Sequence, residues 1–501
     1  MKFISNLCRP LAAICLLTVM LASSCSKEES VDRRAELLAL VPDNASVVAL
    51  NPCAILKSAG ADVNSKKIKL TKQLERLSEI DNAFGVYFNL ITGADGVNRR
   101  STVAGGTNDG YFWLIALDSP SAFISWAKKN DFEVTADEKQ TVCLYETEGM
   151  PCAVIVEGNI GWIAATAPTA EDAIKYVADN KANAENNSFA QWKIDRMLKS
   201  DINMFIDVAS YTEMIQKLYE QIGMNMNLPS FYSGKCAYGL SDINFDGPTV
   251  KMTAETLDKD GKTTPMFEPG TYTLIPSEML ALIKKHQIAF GFSIPDAWTE
   301  MFGTLYAQEE MSSFGKDYQN IVKSTLKCLK SMVSGISFDE NASIATAKPT
   351  DLSGIFAIEY DKEAAEATAA DWAALAQGTD FEATLSNSWK AWKEDSTFAI
   401  SPVAQFPDFK IYFTGKENVA LISTDANIAD TKLKSDSSLD NLIAYISIDL
   451  KKTHPVLALV NCPFGIKLYG TTTADKGEGY LTLTDTDGQL IETLVNFISR
   501  F

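Results

Sequence analysis

Short runs of alternating apolar residues recur along the chain, and each passes directly into a helical pattern. In the first, residues 47–50 favour a largely buried strand. Asn51 is placed to cap a helix, and proline suits a first helical turn, as at Pro52. Ile55 and Leu56 then form one apolar helix face. The pattern predicts a strand that runs straight into a helix.

The same strand–helix unit is predicted three more times, at residues 201–218, 287–305 and 442–460. In the first of these, 201–218, Ser210 is the predicted cap of the helix. Three other pairs of segments also correspond in pattern: 111–129 with 355–372, 154–164 with 411–422, and 244–253 with 474–483. The spacings are about 230 to 257 residues in unchanged order, which predicts an internal duplication.

The chain has 501 residues, which is too long for one compact core. We expect a first copy at 35–257, a turn-rich connector at 258–271 and a second copy at 272–501. Each copy mixes helices with hairpins and does not alternate strand and helix strictly. This favours an α+β fold of two tandem, structurally similar domains, with helices packed on mainly antiparallel sheets.

The N-terminus predicts export and lipidation. A basic start is followed by an apolar run of about a dozen residues, which is too short to span a bilayer and is typical of a signal peptide, at residues 1–24. Leu21-Ala-Ser-Ser-Cys25 resembles a bacterial lipobox, with Cys25 as the lipidated residue. The charged residues that follow the anchor, within 25–34, are predicted to be a tether.

Lys27-Glu28-Glu29 resembles the surface-export signal of Bacteroidetes lipoproteins, although a solvated linker explains it equally well. Three features together resemble a Bacteroidetes lipoprotein family known as domain of unknown function 4836. They are the lipobox, the tandem units and the sequence Val41-Pro-Asp-Asn-Ala-Ser-Val-Val-Ala-Leu50. The resemblance implies an outer-membrane lipoprotein, and the export signal would place it on the cell surface. It carries no catalytic residues.

Acidic residues outnumber basic ones, which makes nucleic acid an improbable partner. The formal net charge is -19, and loss of Lys2 and Arg9 with the signal peptide brings it to -21. Such a surface repels phosphate backbones, and no basic patch is interleaved with aromatic residues. The predicted partners are the membrane, through the lipid anchor alone, and a glycan or envelope protein.

Six cysteines follow Cys25, too few for a disulfide scaffold in a chain of this length. Cys143 and Cys152 flank a predicted hairpin and form the one sequence-local candidate disulfide. Buried free thiols are the favoured interpretation for the six, because cysteine is commonly a small core residue.

The sequence contains no recognisable catalytic, cofactor-binding or metal-binding constellation. Its two histidines, His286 and His454, lie at the edges of predicted units, where a surface role is expected. Gly261-Lys-Thr-Thr lacks the first glycine and the strand–helix context of a phosphate loop. Asp258-Lys-Asp-Gly261 and Asp485-Thr-Asp-Gly488 lack the remaining ligands of a calcium loop and are predicted to be tight turns.

Three classes of function therefore remain. The first is a lipid-anchored, non-enzymatic binding or structural module. The second is a surface glycan-binding accessory of an uptake system, for which a row of exposed tryptophans would be the mark; Trp389 and Trp392 are its candidate ligand contacts. The third is a carboxylate-based hydrolase, which needs two acids in one cleft.

Overall fold

The structure is a computed structural model. It describes residues 31–63, 68–72, 74–75, 83–107, 110–136, 138–145, 152–164, 169–221, 233–296, 315–339, 342, 348–379 and 382–498. The predicted signal peptide and lipidation site lie outside these residues. No helix within the described ranges is both long enough and apolar enough to cross a membrane.

Nineteen strands are described, and the ladders described below are all antiparallel. They are β1 Ser46–Leu50, β2 Val97–Thr107, β3 Gly110–Leu117, β4 Glu133–Ala136, β5 Thr141–Tyr145, β6 Cys152–Glu157, β7 Ile160–Ala164, β8 Ile202–Asp207, β9 Tyr238–Asp246, β10 Thr249–Leu257, β11 Ile288–Ser293, β12 Leu329–Phe338, β13 Leu352–Tyr360, β14 Thr397–Ile400, β15 Ile411–Lys416, β16 Val419–Ser423, β17 Ala444–Leu450, β18 Gly465–Thr472 and β19 Lys476–Thr484.

Thirteen α-helices are described along the same ranges. They are α1 Arg34–Leu38, α2 Pro52–Ser58, α3 Ala83–Gly93, α4 Pro120–Lys129, α5 Ala170–Asn186, α6 Gln191–Arg196, α7 Val208–Gln221, α8 Ser277–Ile283, α9 Gly315–Cys328, α10 Lys362–Ala376, α11 Glu382–Lys393, α12 Pro455–Leu459 and α13 Leu490–Ile498. The protein is therefore α+β, as predicted from the mixture of helices and hairpins.

The chain divides into two compact units. Unit 1 contains the chain up to Leu218, Ala237–Lys262 and the C-terminal residues from Asp487. Unit 2 contains Thr263–Thr486 and the residues just before Ala237. The main boundary lies inside the predicted connector at 258–271.

The division differs from the predicted copies in two places. Helix α13 belongs to unit 1, where the amide of Leu490 donates to the carbonyl of Gly247 at 3.0 Å. Residues 233–236 belong to unit 2, where the amide of Ser233 donates to Met266 O at 2.7 Å. Both segments are held in their units by hydrogen bonds between residues distant in sequence. Local strand and helix patterns do not predict such bonds.

In unit 1, ten strands form a sheet in the order β4-β5-β6-β7-β3-β2-β1-β8-β9-β10. Its main core includes Val47 and Ala49 from the sheet, with Leu37, Val177 and Ile194 from helices α1, α5 and α6. Burying one such large apolar side chain contributes about 1.5–3 kcal/mol. The alternating apolar pattern of β1 therefore fixes which of its faces packs on these helices.

In unit 2, nine strands form a sheet in the order β14-β15-β16-β13-β12-β11-β17-β18-β19. Helix α8 packs Met279, Leu280 and Ile283 into a core that includes Ala289 and Val333. Helices α9, α10 and α11 form a second helical layer, in which α10 contacts both of the others.

The two strand orders correspond position by position. Each strand of unit 2 has a counterpart in unit 1. The counterparts are β11 and β1, β12 and β2, β13 and β3, β14 and β5, β15 and β6, β16 and β7, β17 and β8, β18 and β9, and β19 and β10. Only β4 has no counterpart among the described strands. The segments paired by the sequence pattern occupy equivalent strands, so this shared topology supports the duplication, which remains an inference.

Two predicted helix caps are wrong. The Asn51 side chain makes no capping hydrogen bond to α2, although Pro52 does occupy the first turn. At α7, Asp207 and not Ser210 supplies the cap, because Asp207 Oδ1 accepts from the Ser210 amide at 2.9 Å. At α4 a side-chain cap does form, because Ser119 Oγ accepts from the Ala122 amide at 3.3 Å.

Candidate functional site

A small cavity in unit 2 is lined by Trp392, one of the two tryptophans predicted to contact a ligand. Its volume is about 70 Å³. Its walls come from the end of β13, the start of α10, the end of α11 and the turn between β15 and β16. The lining residues are Tyr360, Lys362, Glu366, Trp392, Lys393, Asp395 and Glu417.

Trp389 and Trp392 are three residues apart on α11 and therefore lie on one helix face. Their ring centroids are 4.0 Å apart, with the ring planes inclined at 48°. Both side chains are half-buried. Trp392 reaches the cavity, whereas Trp389 packs against its ring and does not line the cavity.

Gly415 allows α11 to approach strand β15 closely. A Cβ atom at this position would meet the carbonyl oxygen of Trp392 and lie 2.6 Å from Trp392 Cδ1. No side chain fits there without a shift of the helix, so the glycine holds Trp392 at the cavity.

Tyr360 fixes the orientation of Trp392. The indole Nε1 donates to the Tyr360 hydroxyl, which in turn donates to the Glu417 carbonyl at 3.0 Å. Burial raises the pKa of Tyr360 to about 12, and the neighbouring Asp395 and Glu366 carboxylates act in the same direction. The phenol therefore stays protonated at neutral pH and keeps donating to the turn.

The cavity combines both signs of charge beside one aromatic ring. Lys362 and Lys393 supply two cations, and Glu366, Asp395 and Glu417 supply three carboxylates, which leaves a formal charge of -1. Asp395 and Glu417 have positive φ angles, 48° and 55°, a conformation that non-glycine residues adopt sparingly. The arrangement can donate and accept hydrogen bonds around a polar ring placed against Trp392.

The sequence did not single out the partners of Trp392. Tyr360 ends β13 and Glu417 lies in the turn between β15 and β16, and 57 residues separate them in sequence. Their meeting depends on β13 pairing with β16, where Glu359 lies opposite Val419. Pairing between distant strands could have been found only through the repeat pattern.

The other tryptophans do not form an exposed row. Trp113 and Trp162 lie on strands β3 and β7 and are buried. Trp126, Trp192 and Trp372 are half-buried, and Trp298 lies outside the described residues. The extended aromatic platform that would mark a glycan-binding surface is thus absent from the described parts of the chain.

The two histidines are more enclosed than predicted. His454 is 2% exposed and caps α12, since its Nδ1 accepts from the Val456 amide at 3.2 Å. Its Nε2 lies 3.0 Å from Gln287 Oε1, which fits an Nε2–H donor. His286 Nδ1 lies 3.1 Å from Ser337 Oγ, and burial lowers the pKa of His286. The expected surface role is therefore wrong for His454, whose visible contacts are structural.

The candidate disulfide between Cys143 and Cys152 does not form. Cys143 is a buried free thiol. In the β5–β6 ladder it lies opposite Val154, while Cys152 lies opposite Tyr145, a diagonal placement about 7–8 Å apart that is too long for a disulfide. Cys328 and Cys462 are also buried free thiols, as predicted, whereas Cys53 is disulfide-bonded and the prediction is wrong there.

The acidic turns behave as turns. Asp258 Oδ1 accepts from the amides of Asp260 and Lys262, each at 2.9 Å, and Gly261 has a φ of 76°. Across the described ranges, no group of three or more His, Cys, Asp or Glu side chains is arranged to hold a metal ion.

Comparisons with known proteins identify no family for this chain. No family model matches the chain, and no curated protein matches it. Among solved structures, crystal form III of TP0453 is 9% identical, with a TM-score of 0.27 over 45% of this chain and 81% of that chain. Crystal form I of TP0453 is 10% identical, with a TM-score of 0.26 over 47% and 82%. Likeness at these TM-scores supports no statement about fold or function.

Proposed function

We propose that this chain is an outer-membrane lipoprotein, anchored through Cys25, that binds a saccharide without chemical turnover. The ligand site is the Trp392 cavity of unit 2. The observation that carries the proposal is the placement of a half-buried indole ring, held by Tyr360, among five charged side chains. A sugar ring presents an apolar face to an aromatic ring and hydroxyls to charged neighbours, so its chemistry matches this lining.

The cavity can admit only part of one terminal ring and not a long chain. Its volume is about 70 Å³, and only one tryptophan borders it. Hydroxyl groups donate to the carboxylates of Glu366 and Asp395 and accept from the ammonium groups of Lys362 and Lys393. We therefore propose the end of a glycan as the ligand, with modest affinity per site.

Calorimetric titration of the purified protein with a panel of monosaccharides and short oligosaccharides tests the proposal. Glu366→Gln and Lys393→Gln should each weaken binding about tenfold, because each removes a charge-assisted hydrogen bond of about 1.5 kcal/mol. Glu363→Gln and Lys390→Gln are matched controls, because both residues are exposed on the same two helices but do not line the cavity. Equal affinity of test and control variants would reject the site, and no binding across the panel would reject the ligand class.

A hydrolase is the second candidate, because Glu366, Asp395 and Glu417 line one cavity. Glycoside hydrolysis uses two such carboxyl groups, one to protonate the leaving oxygen and one to activate water or attack. Incubation of the protein with the bound saccharides, followed by an assay for new reducing ends, separates the two functions. Turnover that is lost in Glu366→Gln would favour the hydrolase over the binding module.

The anchor is tested separately from the ligand. Replacement Cys25→Ala removes the sulfur that would carry the lipid, so we expect the protein to move from the membrane fraction to the soluble fraction. Unchanged fractionation, together with an N-terminal peptide of the parent protein whose mass includes no acyl chains, would refute lipidation.

A further inference from the structure

The segment just after the predicted anchor is fixed to unit 1 through its backbone. The carbonyl of Val31 accepts from Asn98 Nδ2 at 3.0 Å, and the amide of Arg33 donates to Ser101 Oγ at 2.6 Å. Asn98 and Ser101 lie on β2 and are both fully buried. The predicted tether, 25–34, is therefore wrong at its end, because residues 31–34 are part of the folded unit.

The side chains of the same segment reinforce this attachment. Arg34 is 4% exposed, and its Nη1 donates to the Ser200 carbonyl at 2.7 Å. Its Nη2 pairs with Asp32 at 2.8 Å, so the buried guanidinium is neutralised locally. Breaking such buried charge contacts is costly, which keeps the segment in place.

Arg33 reaches two further carbonyls. Its Nη1 donates to Leu117 O at 3.0 Å and to Asn159 O at 3.3 Å. Leu117 ends β3, Asn159 lies in the turn between β6 and β7, and Ser200 lies just before β8. We call this end of the sheet, defined by Leu117, Asn159 and Ser200, the anchor end.

The opposite end of the sheet follows from strand register. Leu50 pairs with Ile202 and Thr102 near the anchor end, whereas Ser46 pairs with Gly106 at the other end. β10 ends at Leu257, which pairs with Tyr238, so the turn at 258–262 lies at that other end. An eleven-residue strand such as β2 is about 34 Å long, which sets the scale between the two ends.

Covalent geometry limits how far the anchor end can lie from a lipid on Cys25. Six Cα–Cα steps separate residues 25 and 31, and they span at most about 21 Å when fully extended. Acyl chains on Cys25 stay in the bilayer. Val31, where the folded unit begins, has a side chain that is 73% exposed.

We propose that the anchor end of unit 1 is its membrane-facing surface, held within about 20 Å of the lipid headgroups, with the turn at 258–262 pointing away. This inference rests on the proposed lipidation of Cys25. It goes beyond the ligand site because it identifies a second surface of the protein and the partner of that surface, the bilayer.

Energy transfer to the membrane surface tests the orientation in full-length, lipidated protein. Asn159→Cys and Asp260→Cys, both at exposed turn positions, are each labelled with the same donor fluorophore. The protein is placed in vesicles of phosphatidylcholine and phosphatidylglycerol that contain a headgroup-labelled acceptor lipid. The buried thiols at Cys143, Cys328 and Cys462 should resist labelling.

We expect the distance of closest approach to be about 20–30 Å shorter for the label at 159 than for the label at 260. A flexible linker of about ten Gly and Ser residues inserted after Ser30 should reduce this difference, because it lengthens the connection. Equal distances, or a shorter distance at 260, in protein whose mass shows the lipid would overturn the orientation alone. A mass without lipid would overturn the orientation and the anchor together.

Discussion

The ammonium group of Lys193 lies 4.4 Å from the ring centroid of Tyr238, although lysine is rarely buried. Three more aromatic rings surround it at 5.2 to 5.9 Å, those of Phe189, Phe205 and Trp192. Its Nζ also pairs with Asp43 Oδ1 at 2.8 Å, and the side chain is 1% exposed. One cation thus joins helix α6 to strands β8 and β9 and to the turn before β1.

Replacement Lys193→Met should destabilise unit 1. Methionine keeps most of the side-chain volume but removes the cation–π contacts and the ion pair with Asp43, whose carboxylate then keeps the hydrogen bond from the Ala190 amide at 3.0 Å. We expect a loss of about 2–4 kcal/mol in the free energy of unfolding, measured by urea denaturation. Lys199→Met, at an exposed position, is the control and should change stability by less than about 0.5 kcal/mol. A Lys193→Met protein as stable as the parent would show that the desolvation of Lys193 offsets its contacts.

Replacement Gly415→Ala should displace Trp392 from the cavity. The added methyl group would meet the Trp392 backbone, so α11 must move away from β15. We expect a destabilisation of about 1–3 kcal/mol, together with loss of saccharide binding. Gly354→Ala is the matched control in β13, because its Cβ would lie 3.6 Å from the nearest atom, which is ordinary contact. Unchanged tryptophan fluorescence and binding in Gly415→Ala would contradict the role given to the glycine.

Stability should fall on acidification because of His286, whose pKa is lowered by burial. Between its folded and unfolded pKa values, the unfolded chain binds more protons than the folded chain. Folding is therefore disfavoured as the pH falls below the unfolded value of about 6.5.

The variant His286→Asn isolates this contribution. Burial also raises the pKa of Asp201, Asp242 and Glu359, which makes stability fall as the pH rises through their folded values. These carboxyl groups act equally in the parent and the variant. Urea denaturation at about pH 7.5 and about pH 5.5 should show a smaller loss on acidification in the variant than in the parent. An identical loss in both proteins would exclude His286 as the cause.

Cys143 should be inert toward thiol reagents in the folded protein. Burial raises the pKa of its thiol to about 11. At about pH 8 only about one such thiol in a thousand is ionised, and the thiolate is the reacting form. Alkylation followed by peptide mass analysis should modify Cys143 only after denaturant is added, without prior reduction. Modification that requires a reductant would show that Cys143 is disulfide-bonded.

The sequence predicted local structure better than it predicted contacts. The apolar alternation of β1 and the proline at position 52 are sufficient to predict a strand followed by a helix, because both signals act within a few residues. The Asn51 cap failed, since a residue type suited to capping does not ensure the backbone geometry that a cap requires. Its φ and ψ angles are -101° and 88°, and its side chain does not reach the helix.

The candidate site was predicted only where helical spacing could place residues together. Trp389 and Trp392 lie on one face of α11 because they are three residues apart. Tyr360 and Glu417 reach the same cavity through strand pairing, and no local pattern states which distant strands pair. Lys193 was also missed, because an isolated lysine in a short helix gives no sign that four aromatic rings, from α6, β8, β9 and the connector before α6, will surround it.

The duplication leads to a final prediction about two glycines at equivalent positions. Gly105 pairs with Val47 between β2 and β1, and Gly335 pairs with Ala289 between β12 and β11, one residue in from the end of each ladder. A Cβ atom would lie 2.5 Å from Ser46 O at Gly105 and 2.6 Å from His286 Cδ2 at Gly335. If the units descend from one domain, close packing at this point is a shared requirement.

Gly105→Ala and Gly335→Ala should therefore each lower the free energy of unfolding by about 1–3 kcal/mol. Gly239→Ala, also in a strand, is the control and should have an effect within about 0.5 kcal/mol, because its nearest neighbour would be 3.8 Å away. Denaturant unfolding of the three variants provides the comparison. Tolerance of alanine at one of the two positions alone would mean that the shared topology does not extend to packing, and the inference of common descent would then rest on strand order only.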